Sequence, residues 1–205
     1  MWNVADKSCP SHWGPSQTAL LLLDFHSMFV SRVPGGGPAA VKTAAEMKAW
    51  AKSTGIKVIH ALIDINASPF ETCKDSGRFA TIVDAMGKTG GAECPELLED
   101  ADDEVTFLRR PGYVSALKSP GLEDYLKENG IRSLLLAGFS TSGCVTRTAI
   151  PACDEEYVVT TISDACADPD DELHRIMLEK VLNNRGYVAT AIEIQKGYEK
   201  VSSGN

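Results

Sequence analysis

A cysteine at the start of a predicted helix is the residue in this sequence best suited to act as a nucleophile. Residues 134–137 form a short apolar run, typical of a buried parallel strand, and Gly138 ends that run. A small polar loop follows, and Cys144 then opens a helical pattern. Because a helix N-terminus carries partial positive charge, the pKa of the Cys144 thiol is expected to fall there. The alternative is a buried structural cysteine, which is common for this residue type.

The loop before Cys144 also offers backbone N–H groups. Such groups could bind the oxyanion that forms when a sulfur atom attacks a carbonyl carbon. The loop residues that we consider for this role are Ser140, Thr141 and Gly143.

Two other polar groups are predicted at strand ends. Asp24 follows a run of four leucines and is either a general base or a residue of the following turn. Arg109 and Arg110 follow the run at 105–108, where they could hold a thiolate or an oxyanion, or pair with the acidic segment 99–104. Because parallel strands end at one edge of their sheet, these groups are expected to meet Cys144 in one active site.

Residues close to these strand ends are candidates for substrate contact. Arg78 could pair with a substrate carboxylate, although a solvent-exposed arginine is the more common situation. The candidates are Phe25, Phe29, Arg78, Arg109, Tyr113 and Phe139.

Apolar runs alternate with helical patterns along the chain. This order predicts an α/β fold of the three-layer, Rossmann-like type, with a mostly parallel six-stranded sheet and helices on both faces. The predicted strands are residues 18–23, 56–63, 105–108, 131–137, 157–162 and 187–191. We expect one domain over residues 1–205, with residues 1–17 as an N-terminal arm and a disordered or loosely helical tail from Gln195.

Composition narrows the classes of function. The chain has 205 residues, 43% of them hydrophobic, and a formal net charge of −8, which argues against nucleic acid or an anionic membrane as a partner. No apolar run is long enough to span a membrane, and no signal core is present. Its six cysteines lack C-x-x-C spacing, which favours a reduced, cytoplasmic location. We expect no metal, since residues 64–66 supply too few ligands, and no cofactor.

The segment 138–149, GFSTSGCVTRTA, matches every position of the signature G-x-x-T-x-x-C-V-x-x-T-A. The chain therefore resembles the isochorismatase-like cysteine hydrolases over residues 18–191, with Asp24 and the Asp164-Ala165 pair at the family's other characteristic places. The resemblance implies that Asp24 takes the thiol proton and that Cys144 attacks an amide-type carbonyl. It also implies a cis peptide bond between Phe139 and Ser140.

The family carries a lysine where this chain has arginines. We match that lysine to Arg110, from its distance to Tyr113 and Ser115, with Arg109 as the alternative. An arginine keeps the positive charge but cannot give up a proton at neutral pH. The histidines that hold zinc in the family's nicotinamidases are missing after residues 64–66.

Two classes of function remain open. The first is a cysteine-dependent hydrolase of a small molecule, acting on an amide or other C–N bond or on the vinyl ether of isochorismate. The second is a non-catalytic, ligand-binding or redox-sensitive relative of the same fold. The resemblance also implies a homo-oligomer, a dimer or a tetramer.

Overall fold

The core of the fold is a sheet of six strands that are all parallel, in the order β3-β2-β1-β4-β5-β6. The computed structural model describes residues 2–202, and the side chains of residues 2–199. The strands are β1 (Thr18–Leu23), β2 (Lys57–Ile63), β3 (Val105–Arg109), β4 (Ser133–Phe139), β5 (Val158–Ala167) and β6 (Tyr187–Ala189).

Helices connect the strands and cover the sheet. They are α1 (Ser27–Ser31), α2 (Gly37–Thr54), α3 (Ser76–Lys88), α4 (Leu122–Glu128), α5 (Thr146–Asp154), α6 (Asp171–Ile176) and α7 (Ala191–Ser202). Helix α6 continues into a π-helical turn, Met177–Val181, and a 3₁₀ turn, Leu182–Asn184.

The side chains of β1 show why the sheet needs cover on both faces. Leu20 and Leu22 belong to one hydrophobic cluster, shared with α2 and α7, whereas Leu21 and Leu23 belong to a second, shared with α4 and α5. Successive side chains of a strand point to opposite faces, so a strand that is apolar throughout must be buried on both. The predicted three-layer α/β fold is confirmed.

The strand order decides where a site can form. The chain moves outward from β1 through β2 to β3, then returns to place β4 on the other side of β1. Loops after β1 and β4 therefore leave in opposite directions and open a crevice between them. Asp24 follows β1, and Cys144 lies in the π-helical turn Thr141–Val145 after β4.

Several predicted boundaries differ from those observed. Strand β4 starts and ends two residues later than predicted, and β5 continues to Ala167. The tail expected to be disordered or loosely helical forms α7 up to Ser202, the last residue described. The N-terminal arm is held at Pro10, whose carbonyl oxygen accepts a hydrogen bond of 3.1 Å from Tyr198 Oη. Among the described residues, no helix is long and apolar enough to cross a bilayer.

Candidate active site

Three buried side chains meet at the carboxyl edge of the sheet. Asp24 is 3% exposed, Arg109 1% and Cys144 3%. The Arg109 guanidinium donates two hydrogen bonds to the Asp24 carboxylate, with 2.9 Å between Nη1 and Oδ1 and a second contact between Nη2 and Oδ2. The same Nη2 lies 3.5 Å from Cys144 Sγ. An acid, a cation and a sulfur from three strand ends are thus in direct contact.

The arginine in this cluster is Arg109, which the sequence analysis gave as the alternative, whereas Arg110, the residue matched there to the family lysine, contacts neither Asp24 nor Cys144. Strand β3 runs one residue further than predicted, and Arg109 pairs with Ile63 inside the sheet. Its Nε donates to Tyr113 O at 3.0 Å, which fixes the plane of the guanidinium. The next side chain along a strand points the opposite way. Arg110 accordingly faces outward and donates to Ser68 O and Pro69 O at 2.8 and 3.2 Å.

The electrostatics of Cys144 differ from the sequence-based expectation. Burial raises the pKa of the Cys144 thiol, and the Asp24 carboxylate raises it further, while Arg109 and Thr148 lower it only in part. Burial disfavours a charged thiolate, so the pKa rises where the sequence analysis expected it to fall. The resting sulfur is therefore a neutral thiol beside a carboxylate that can accept its proton.

Arg109 stays protonated in the same environment. Burial alone would lower the pKa of its guanidinium, but the electrostatic attraction of the neighbouring Cys144 and Asp24 and the hydrogen bonds to Asp24 outweigh burial and raise the pKa above its usual value. Arg109 therefore supplies a fixed positive charge and takes no part in proton transfer.

The backbone before Cys144 is tightly constrained. The peptide bond between Phe139 and Ser140 is cis, as the family resemblance implies. A Cβ added at Gly138 would lie 2.2 Å from Leu23 O on the neighbouring strand β1, so only glycine fits there. At Gly143, with φ −96° and ψ −110°, an added Cβ would lie 2.8 Å from Ser140 Oγ. The first close approach holds the end of β4 against β1, and the second holds the turn that carries Cys144 against its own first residues.

The turn is also held by side chains that the sequence analysis missed. The Asp168 carboxylate, buried at the end of β5, accepts the Ser142 N–H at 2.8 Å. Thr141 Oγ1 lies 2.8 Å from His174 Nδ1 on α6, so Thr141 links the turn to α6. Asp168 directly follows the observed strand β5, but the predicted strand ended at residue 162, so its position gave no comparable signal in the sequence.

A cavity of about 290 Å³ opens onto two of the three buried side chains, Asp24 and Cys144. Asp24 and Cys144 form part of its lining, and the predicted contact residues Phe29, Tyr113 and Phe139 lie in its walls. The lining residues that were not predicted are Arg32, Val33, Phe79, Val114 and Pro169.

Two candidate contact residues lie elsewhere. Phe25 is fully buried in the core, with its ring 5.3 Å from that of Phe139. Its side chain packs in the hydrophobic cluster that includes residues of α2, and it does not line the cavity. Arg78 is exposed on α3, and the next residue, Phe79, lines the cavity in its place.

Asp64, which the sequence analysis weighed as a metal ligand, makes its hydrogen bonds to neighbouring protein groups. Its backbone N–H donates to Arg109 O at 2.8 Å, and its carboxylate accepts the Asn66 N–H at 2.9 Å. Over residues 2–202, no group of three or more His, Cys, Asp or Glu side chains is arranged to hold a metal ion.

The chain is similar in sequence to known proteins of one family. The family model described as an Isochorismatase domain matches residues 18–193. A maleamate amidohydrolase from Pseudomonas putida is 28% identical over 180 residues, which are 84% of this chain and 82% of the relative. A protein from Arabidopsis thaliana named "Probable inactive nicotinamidase" is 28% identical over 166 residues, 77% of this chain and 84% of the relative.

A solved structure supports the fold in the same way. An isochorismatase family protein from Burkholderia thailandensis superposes with a TM-score of 0.75 at 21% sequence identity. The superposition covers 90% of this chain and 96% of the other.

Proposed function

We propose a specific chemistry for this chain, which belongs to the isochorismatase family of hydrolases: cysteine-dependent hydrolysis of an amide or other C–N bond in a small molecule. The observation that carries the proposal is the contact of one guanidinium with both the Asp24 carboxylate and the Cys144 sulfur. The maleamate amidohydrolase from P. putida, a relative at 28% identity, is named for hydrolysis of such a bond.

In the first half of the reaction, Asp24 takes the proton of the Cys144 thiol as sulfur attacks the carbonyl carbon. The new C–S bond forms as the carbonyl π electrons move to oxygen, and the tetrahedral adduct then expels the amine. Asp24 returns its proton to the amine nitrogen, which leaves a thioester on Cys144. Arg109 balances the charge throughout, because the negative charge moves between two groups that it already contacts.

In the second half, water replaces the amine. Asp24 removes a proton from water, the resulting hydroxide attacks the thioester carbonyl, and the C–S bond breaks to release a carboxylic acid. The thiolate recovers the proton from Asp24, so the enzyme ends as it began. One water is consumed, and one amine and one acid are produced.

The candidate donor for the oxyanion differs from the loop residues named in the sequence analysis. The N–H groups of Gly143 and Val145 both donate to Ser140 O, and that of Ser142 donates to Asp168, so none of these three is open to substrate. The backbone N–H of Cys144 is therefore our candidate donor, with the guanidinium of Arg109 as charge support.

A non-catalytic or redox-sensitive relative remains the second candidate. Two features favour it: the raised pKa of the Cys144 thiol and an arginine in place of the family lysine. The A. thaliana relative whose name describes it as inactive shows that the fold has been linked to such members. The cytoplasmic location and the homo-oligomeric state stay predictions.

Turnover with a matched pair of cysteine variants tests the proposal. We expect the wild-type protein to release ammonia from at least one small amide in a panel that includes nicotinamide, ureas and dicarboxylic acid monoamides. Cys144→Ala should abolish this release, whereas Cys153→Ala, a change at a half-buried thiol of α5 outside the cavity, should leave the rate unchanged.

The panel should also contain isochorismate. Its hydrolysis at the vinyl ether with equal rates in wild type and Cys144→Ala would replace the amide chemistry proposed here by one that does not need sulfur. Failure of every substrate in the panel, with Cys144 intact, would favour the non-catalytic alternative.

A further inference from the structure

The lining of the cavity includes a positively charged side chain that the proposed mechanism does not use. Arg32 lies at the end of α1, eight residues after Asp24, and its side chain lines the cavity while remaining exposed. We propose that Arg32 binds a carboxylate of the substrate, so that the enzyme selects small amides that also carry an acid group. This inference rests on the proposed function, because it assigns the substrate class of the same site.

The charges around the cavity leave Arg32 uncompensated. Asp24 is the other charged residue of the lining, and its carboxylate is already paired with Arg109. Within residues 2–199, no carboxylate forms an ion pair with Arg32, and Nη2 instead lies 3.6 Å from the Met28 sulfur, a weak acceptor. The guanidinium therefore keeps donors available for a ligand, and a planar carboxylate matches its fork.

The whole-molecule charge makes this cation necessary for an acidic substrate. A chain with a formal net charge of −8 repels anions in general. An anionic substrate that reaches a thiol beside a carboxylate needs a local positive charge at the cavity, and Arg32 provides it.

The walls of the cavity limit the shape of the rest of the substrate, beyond its carboxylate. Phe29, Phe79 and Phe139, three of the six phenylalanines of the chain, line the cavity together with Tyr113. Aromatic walls favour a flat, apolar spacer. A volume of about 290 Å³ lies at the low end for ligand pockets, so the spacer between acid and amide is short. The chemical class that fits is the monoamide of a small dicarboxylic acid.

Binding to the Cys144→Ala protein tests this assignment without requiring turnover. The probes are maleamic, fumaramic and succinamic acids, each compared with its methyl ester by calorimetry or ligand-observed NMR. We expect at least one acid to bind at least tenfold more tightly than its ester. Arg32→Gln in the same background should weaken that acid about 30-fold and leave the ester unchanged, because a charged hydrogen bond is lost for one ligand only.

Arg78→Gln is the matched control, since Arg78 is an exposed arginine near the same cavity that does not line it. It should change neither affinity. Equal affinity of acid and ester, absence of binding by every acid, or equal losses in Arg32→Gln and Arg78→Gln would overturn the role of Arg32. These results are independent of the ammonia assay, whose failure would instead overturn the proposed hydrolysis.

Discussion

Arg109 is the side chain on which the chemistry of Asp24 and Cys144 depends. A buried carboxylate and a buried sulfur that exchange a proton always carry one negative charge between them, and a nearby cation stabilises that charge wherever it lies. Arg109 touches both groups from one guanidinium, and its contact with Tyr113 O prevents it from turning away. A lysine in this place could also donate a proton, whereas Arg109 contributes charge and position alone.

A pair of neighbouring arginine variants tests that role. If Arg109 stabilises the reacting charge, Arg109→Gln should lower kcat by about 100-fold, in the range seen when one such donor is removed. Arg109→Lys should lose less, because the positive charge remains. The measurement is steady-state turnover of whichever amide the wild type hydrolyses.

Arg110→Gln is the control, because its guanidinium contacts only the carbonyls of Ser68 and Pro69 at the surface. Its kcat should stay within about threefold of wild type, as expected for a surface substitution. Equal losses at both positions, or a normal kcat in Arg109→Gln, would refute the assignment of the reacting cation to Arg109.

The residue scale also shows what the sequence could and could not predict. The signature around Cys144 and the position of Asp24 after an apolar run were enough to identify two members of the cluster. The choice between Arg109 and Arg110 depended on a single residue of strand length, which sequence patterns do not fix. Arg32 gave no signal, because one charged residue beyond a short helix looks the same whether or not it borders a cavity.

At the scale of elements, a buried ionic network ties β2 to the segment that precedes β3. His60 of β2 lies between two carboxylates, with Nδ1 2.7 Å from Glu93 Oε1 and Nε2 2.6 Å from Glu104 Oε2. Lys48 of α2 lies 3.3 Å from Glu104 Oε1. A protonated imidazole can donate from both nitrogens, so this geometry favours a charged His60.

The network predicts a definite pH dependence of stability. Burial opposes the charge on His60, but Glu93 and Glu104 outweigh it and raise the pKa of the imidazole. The stabilisation is therefore complete below the unfolded pKa of about 6.5 and is lost as the pH rises through the folded pKa. At pH 6, His60→Gln should be less stable than wild type by about 3 kcal/mol, because two buried carboxylates lose their partner. The difference in stability between wild type and His60→Gln should narrow as the pH rises above about 6.5 and through the folded pKa of His60.

Chemical denaturation of both proteins across this pH range measures the effect. His12→Gln is the control, because His12 lies in the N-terminal arm and its ring contacts Val4 O and Trp13. A gap between His60→Gln and wild type that is constant or widens as the pH rises would show that His60 is not charged in the folded protein.

Elements also differ in how well the sequence predicts them. The six strands and the long helix α2 follow directly from apolar periodicity, and Gly55 ends α2 in the left-handed conformation that glycine readily adopts, with φ 83°. The extension of β5 to Ala167 was missed because Asp164 reads as a turn residue, although its carboxylate instead accepts the Ala191 N–H at 2.8 Å. Tertiary contacts of this kind override local preference.

At the scale of the whole molecule, the fold brings together residues that are far apart along the chain. Asp24, Arg109 and Cys144 are separated by 85 and 35 positions along the chain, yet each lies at the carboxyl edge of one parallel sheet. The reversal of strand order between β1 and β4 opens the cavity beside them. The general position of the site could therefore be predicted, whereas its walls, which come from the loops, could not.

The pKa of Cys144 links these scales, because it depends on burial by the whole fold and on two neighbouring charges. In wild type, the thiol is held protonated by burial and by the Asp24 carboxylate. Asp24→Asn removes the negative charge but keeps Arg109, which then favours the thiolate. The variant should therefore lose turnover while its sulfur becomes more reactive, a combination that simple loss of structure would not produce.

The most direct test is the rate at which iodoacetamide modifies Cys144 at pH 7, followed by mass spectrometry of the Cys144 peptide, with Cys153 in the same digest as the internal control. We predict that Cys144 reacts about tenfold faster in Asp24→Asn than in wild type, as a fall of one unit in its pKa would produce. An equal or slower rate in Asp24→Asn would contradict the direct contact of carboxylate, guanidinium and sulfur on which this account depends.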